Sequence, residues 1–428
     1  MQAGDEVGQG VVGDGEQHEL RGLHHLGDRP HGHARQQGLG PLPGVLGDRR
    51  DRDDVVAGRA QRRPEDGADP AGSDDPDPQG RPGRGWRSSA ALVWLAHGPD
   101  ATRGRLPPSP LPRVVRVERT WEQAWHEALY GAGGFYRRPE GPAGHFATSA
   151  QGGAAEVLAG ALLELARRES LTTIVDVACG RGELLEALAA QADPSIRLVG
   201  VDVVDRPADL AQRVEWLRSP GGRHLPDLGA PTDALVLAHE WLDVVPCPVA
   251  EVDDDGTLRE VHVGPDGTER LGSPLYGADL EWADAWWPEP REPGDRVEVG
   301  GTRDAAFAGL VERVRSGLVV AVDYGHTRDD RPPAGSLVGY ADGAVCAPVP
   351  DGRCDLTAHV AMDSLRPDRL LTQREALREL GLDGARPPLD LARSDPAGYL
   401  SALARASQAS ALTSGGPGGF LWALRRVG

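Results

Sequence analysis

Three segments combine residue types and spacing that suit the binding and reaction of a nucleoside-like ligand. The first is Asp176-Val177-Ala178-Cys179-Gly180-Arg181-Gly182-Glu183-Leu184, read as a strand that enters a helix through a turn of small residues. Small residues let a ligand approach the backbone closely, and a helix start offers N–H groups without intrahelical partners. An acid at the strand end, Asp176, favours a ligand with positive charge nearby. A dinucleotide fingerprint would need a third glycine where Glu183 stands, so a nicotinamide dinucleotide is the weaker reading. A tight turn without any ligand is the bland one. Asp202 closes the next apolar strand, where a carboxylate can accept hydrogen bonds from both hydroxyls of a ribose, or simply cap a helix. The third segment is His239-Glu240-Trp241-Leu242-Asp243-Val244-Val245-Pro246, at the end of a fourth strand. Glu240 and Asp243 would point the same way if a helical turn begins there, and two carboxylates hold a guanidinium through charge-assisted bonds. The plain alternative is a helix start with acids placed to suit its dipole.

The elements that must position these residues follow from periodicity. Trp121, Trp125 and Leu129 recur at helical spacing and end at Gly131–Gly134; a second helix is predicted from about Ala154 to Arg168. Strands are predicted at 173–178, 197–202, 213–217, 234–238 and 318–323, alternating with helical stretches, which calls for a parallel sheet covered on both faces. An insertion at about 247–302 interrupts the alternation. Val249 and Glu251, then Leu258, Val261 and Val263, alternate around Asp254-Asp255-Gly256 as in a β-hairpin. Trp282, Trp286 and Trp287 follow at a spacing that suits core packing. Helices near 373–380 and 399–411 and a strand at 420–425 close the chain. Residues 1–113 are rich in Gly, Pro, Arg and Asp and lack a core-forming pattern. They read as a disordered arm or as translated sequence upstream of the true start, with 114–428 as the domain.

Composition narrows the function. The chain of 428 residues carries a formal net charge of -19, which disfavours a broad nucleic-acid surface. It contains no Lys and no Asn, so every fixed cation is Arg and Schiff-base chemistry is excluded. Cys179, Cys247, Cys346 and Cys354 form no CxxC pair, and no Cys/His cluster has metal-ligand spacing. No apolar run suits membrane insertion and no secretory leader is visible, so the expectation is a soluble, cytoplasmic protein without a metal.

These motifs, in this order, resemble those of the MidA-type methyltransferase family. Gly144-His145-Phe146-Ala147-Thr148-Ser149 resembles its GDFxTS segment, Asp176–Leu184 its ExGxGxGEL turn, and His239–Pro246 its NEFxDxxP segment. Asp323-Tyr324-Gly325-His326 and Cys354-Asp355-Leu356-Thr357-Ala358-His359-Val360 resemble its DYG and DxTAHV segments. The departures are Asp176 for the leading Glu, Ala178 for the first Gly, His145 for an Asp and His239 for an Asn. The resemblance implies an α/β fold: a Rossmann-like class I methyltransferase sheet with helices on both faces and an inserted hairpin and helical subdomain. It implies S-adenosyl-L-methionine as cofactor, bound by Asp176, Gly180, Gly182 and Asp202, with Phe146, Thr148 and Ser149 closing over it. Glu240 and Asp243 would orient the methyl acceptor, with Asp323 and His359 as further candidates. The acceptor would be a protein, such as a respiratory-complex subunit methylated on arginine, or a small molecule. A non-catalytic assembly factor that keeps the fold is the rival from another class, and an NAD-dependent oxidoreductase a distant third.

Overall fold

The computed structural model describes residues 118–138 and 152–428. The N-terminal extension, and Phe146, Thr148 and Ser149, lie outside the described residues. Seven strands form the main sheet: β1 (Thr173–Val177), β2 (Arg197–Asp202), β3 (Val214–Arg218), β4 (Ala234–His239), β5 (Gly317–Asp323), β6 (Arg369–Thr372) and β7 (Leu421–Val427). Their order across the sheet is β6-β7-β5-β4-β1-β2-β3, and only β7 runs against the rest. The order turns around at β1, which has β2 on one side and β4 on the other. Open α/β sheets bind ligands at such a switch point, beyond the carboxyl ends of the strands that flank it, here β1 and β4.

The central strands are apolar on both faces because both are covered. Ile174, Leu198, Leu235, Leu237, Val320 and Val322 pack against helices α2 (Gly152–Arg168) and α3 (Glu183–Gln191) and against the later helices α6 (Gln373–Glu379) and α7 (Pro396–Thr413). The alternate residues Val175, Val177, Val199, Val236, Val319 and Ala321 meet Ala306, Phe307 and Leu310 of α5 (Gly301–Glu312). The doubly covered sheet expected from the sequence is therefore present.

A second sheet sits between β4 and β5 in the chain. Val249–Val252 and Leu258–Val263 pair as the expected hairpin, flanked by Arg296–Glu298 and Glu269–Pro274. Arg119–Thr120 pair with Val263 and His262, at the end of the second hairpin strand, and lead into α1 (Trp121–Tyr130). α1 buries Trp121, Trp125 and Leu129 against this sheet and Leu356, as its helical spacing foretold. Trp282 and Trp287, in and just after α4 (Gly277–Trp286), join the core of the second sheet.

Candidate active site

The turn after β1 is made of left-handed backbone. Ala178, Gly180 and Gly182 have φ of 59°, 61° and 83°. Glycine tolerates that region freely, whereas an L side chain there costs about 1–2 kcal/mol. Where the motif that this turn resembles has a glycine, this chain thus holds an alanine in a strained conformation. At Gly182 an added Cβ would lie 2.9 Å from Leu210 Cδ1, so the turn is also tightly packed; at Gly180 it would meet only Glu183 Oε2, at 3.6 Å. The open side of the turn is at Gly180.

Asp202, at the end of β2, ties this turn down. Its Oδ2 accepts from the Gly180 N–H at 2.8 Å and its Oδ1 from the Val204 N–H at 3.1 Å. A carboxylate has about four lone-pair positions, so capacity remains for the two hydroxyls of a ribose. Burial raises Asp202 to about 6. Burial raises Asp176 to about 8, helped by the charges of Asp202 and Glu183. Two buried acids beside an unblocked glycine turn make a cradle that fits an adenosine-bearing cation.

The second half of the site lies after β4 and corrects one expectation. No helical turn starts at Glu240. The backbone takes φ 53° at Glu240, and the Leu242 and Asp243 N–H groups donate to Asp323 Oδ2 at 3.0 and 3.2 Å. A fully buried carboxylate thus caps the segment in place of a continuing helix, and Asp323 serves the chain path. Its pKa lies well above the usual carboxylate range, through burial and the neighbouring Asp243 and Glu240 charges. Glu240 keeps a side chain 20% exposed, with Oε1 3.6 Å from His239 Nδ1. Burial drops His239 to about 4, so this ring is neutral at physiological pH.

Asp243 is 4% exposed and held from four directions. Its Oδ2 accepts from the Tyr324 hydroxyl and from Thr357 Oγ1; the Thr357 bond is 2.7 Å long. The Asp243 carbonyl accepts from Arg303 Nη2 at 2.8 Å and from the Ala358 N–H at 3.2 Å. Burial raises Asp243, while the Tyr324 and Thr357 hydroxyls pull it back down. Its Oδ1 is buried and has no partner. Nearby, Asp355 accepts from the Tyr136 hydroxyl at 2.8 Å and is likewise raised well above the normal range by burial.

Arg303 was invisible in the sequence, because it sits in an ordinary helical stretch. In the structure it is buried, and its guanidinium spends its donors on the carbonyls of Val245, Asp243, Ala358 and His359. It stitches the β4 segment to the 354–360 segment and carries positive charge into a cluster of acids. Tyr324 and Thr357 lie inside two of the recognised motifs, but only the fold shows that both reach one carboxylate. His359 also lies here: its ring stands edge-on to Tyr324 at 5.6 Å and burial lowers its pKa. Among the described residues, no group of three or more His, Cys, Asp or Glu could hold a metal ion. Nor, among them, is any helix long and apolar enough to cross a membrane.

Comparison with known proteins bears on the fold and the family. A Burkholderia thailandensis protein described as "a COG1565 superfamily member and likely methyl transferase", in its crystal structure bound to S-adenosyl-homocysteine, superposes with a TM-score of 0.57 at 19% identity. The match covers 72% of this chain and 87% of that one. A native crystal structure of a Burkholderia thailandensis protein of the same superfamily matches over the same shares, with a TM-score of 0.56 and 19% identity. At that identity the likeness shows a shared fold. No curated protein matches the chain. Residues 164–377, half of the chain, match the family described as "Putative S-adenosyl-L-methionine-dependent methyltransferase". The chain belongs to this family of S-adenosyl-L-methionine-dependent methyltransferases, and S-adenosyl-L-methionine is its cofactor.

Proposed function

We propose that the protein transfers the methyl group to a cationic nitrogen, with protein arginine the best-fitting acceptor. The observation that supports this is Glu240: a non-glycine residue held at φ 53°, partly exposed, beside the buried Asp243. Strained backbone of this kind is retained where function needs the side chain in place. Asp243 and Asp323 lie within electrostatic reach of the buried Arg303, and the charges of Glu240 and Asp243 raise Asp323 and Asp355. A cationic acceptor would favour the ionised form of these acids.

S-adenosyl-L-methionine supplies an electrophilic methyl group on its sulfonium. The chain's task is then alignment and exclusion of water. Asp176, Gly180, Gly182 and Asp202 hold the nucleoside side, with Phe146, Thr148 and Ser149 expected over it. Glu240 and Asp243 orient the acceptor nitrogen, and Glu240, the more exposed carboxylate, takes up the proton that the nitrogen gives up. The acceptor is an arginine-bearing protein such as a respiratory-complex subunit, or a small molecule of like charge.

The test is methyl labelling. Purified protein and methyl-labelled S-adenosyl-L-methionine are added to lysate from cells lacking the gene, and labelled products are hydrolysed and identified. Methylarginine is the expected product. Label on another residue type would remove the arginine reading. Cofactor binding with no transfer to any component would favour the assembly-factor alternative.

A further inference from the structure

The Asp243 carboxylate is the most constrained polar group of the acceptor side. One oxygen, Oδ2, takes two hydroxyl donors, Tyr324 from the end of β5 and Thr357 from the strand Asp355–Thr357. The main chain around it is pinned by Asp323, Arg303 and the Ala358 N–H. With backbone and Oδ2 both held, the carboxylate cannot rotate to pair its other oxygen. Oδ1 is left buried without a donor. A buried acceptor left unmade is costly, and native proteins keep few of them. Tyr324 is itself fixed, its ring packed against His359 and, at 5.5 Å, against Phe420.

We propose that Tyr324 and Thr357 are positioning residues that turn Asp243 so that Oδ1 accepts one N–H of a cationic acceptor nitrogen. This rests on the reading of Asp243 as an acceptor-side carboxylate, and it names what that side selects: one charged N–H donor, taken by one oxygen. A bidentate grip by Asp243 is ruled out, because its second oxygen is occupied. Specificity for nitrogen then comes from a single desolvated contact, which the two hydroxyls keep in register.

The arrangement also sets a pH dependence. Asp243 is faced by His239 and Glu240 of its own segment, by Asp323 and Tyr324 at the end of β5, and by Asp355 and Thr357. Arg303 of α5, Tyr130 and Tyr136 near α1, and Tyr340 complete its surroundings. Of these, Tyr324 and Thr357 hydrogen-bond the carboxylate directly and hold its titration down. Losing either hydroxyl moves ionisation of Asp243 to higher pH.

The experiment needs no acceptor. Sinefungin carries an amine where the cofactor carries its transferable methyl group, whereas S-adenosyl-homocysteine carries nothing there. Titration calorimetry of the full chain with both ligands gives their affinity ratio. The wild type should prefer sinefungin by about ten-fold or more, the scale of one charged hydrogen bond. Asp243→Asn should abolish the preference and leave S-adenosyl-homocysteine binding within about two-fold. Tyr324→Phe and Thr357→Val should each cut the preference by about three- to ten-fold and shift its appearance to higher pH, while Thr357→Ser restores it. An unchanged preference in Tyr324→Phe and Thr357→Val at every pH would overturn the proposal. So would loss of both ligands in parallel, which marks a merely structural role. If the wild type binds neither ligand, the cofactor-site reading itself falls, a separate outcome.

Discussion

The turn after β1 and the segment after β4 are neighbours, since Val177 is in register with Ala238 on the adjacent strand. They are built in opposite ways. The first is a matter of backbone: left-handed residues at 178, 180 and 182 shape it, and Asp202, only one strand–helix unit later, anchors it. The second is a matter of side chains drawn from distant parts of the chain. Asp243, Arg303, Asp323, Tyr324 and Thr357 meet there through hydrogen bonds that span up to 114 residues. Local backbone geometry can be crowded but hardly rewired; a long-range polar network can lose one hydroxyl and keep its shape. Substitutions on the two sides should therefore fail differently.

The largest effect is expected at Gly180. Gly180→Val should weaken S-adenosyl-L-methionine binding by about 100-fold or more, because a branched side chain fills the open side of the turn and resists positive φ. The fold should survive, since an added Cβ there touches only the end of Glu183. Calorimetry paired with a thermal melt checks both halves; normal affinity in a folded variant would remove the turn from the site.

Next comes Glu240. Glu240→Gln should lower turnover by about 100-fold while cofactor affinity holds within a few-fold, the signature of lost positioning. Glu240→Gly should be equally inactive yet relieve backbone strain, raising stability by up to about 1 kcal/mol. An active Glu240→Gln enzyme would leave the strained residue without its assigned purpose.

The buried acids beside the turn after β1 predict a pH effect. Asp202 and Asp176 are raised to about 6 and about 8 in the folded protein. A raised pKa stabilises the fold fully below the unfolded value, about 4, and that contribution fades as pH climbs through the folded values. The free protein should accordingly lose stability between about pH 4 and 8. A cationic ligand favours the ionised acids, so S-adenosyl-L-methionine should bind with proton release and more tightly toward pH 8. Asp176→Asn should flatten the upper part of that profile. Calorimetry in buffers of different ionisation enthalpy reads the proton count directly; no proton exchanged would mean the acids do not face the ligand.

The smallest effect separates conformation from chemistry. Ala178→Gly should stabilise the protein by about 0.5–1 kcal/mol, because it removes a left-handed alanine at a modest cost in unfolded-chain entropy. Cofactor affinity should stay within about two-fold of wild type. Chemical denaturation measures the first, calorimetry the second.

The turn after β1 was legible because its signals are local. A strand pattern, small residues at 178, 180 and 182, and an acid at the end of the next strand all lie within one supersecondary unit. The parallel sheet was equally plain from runs such as Ala234–Ala238, apolar on both faces. The strand at 369–372 and the helices at 301–312 and 389–394 went unread, because α5 is nearly uniform around its circumference and the other two are short. The helical turn expected at Glu240 failed for a long-range reason: the cap that replaces it comes from Asp323, 80 residues after the Asp243 N–H that it accepts from.

The amino-acid sequence by itself determined the doubly wound sheet, the glycine turn, the acid at the end of β2 and the family motifs, since periodicity and local spacing encode them. Only the tertiary structure decided that Asp243 is buried with one oxygen clamped and one open, that Tyr324 and Thr357 share it, and that Arg303 binds carbonyls instead of carboxylates. Hydrogen bonds between segments far apart leave no period in the chain. Their geometry exists only once β4, β5 and α5 are packed.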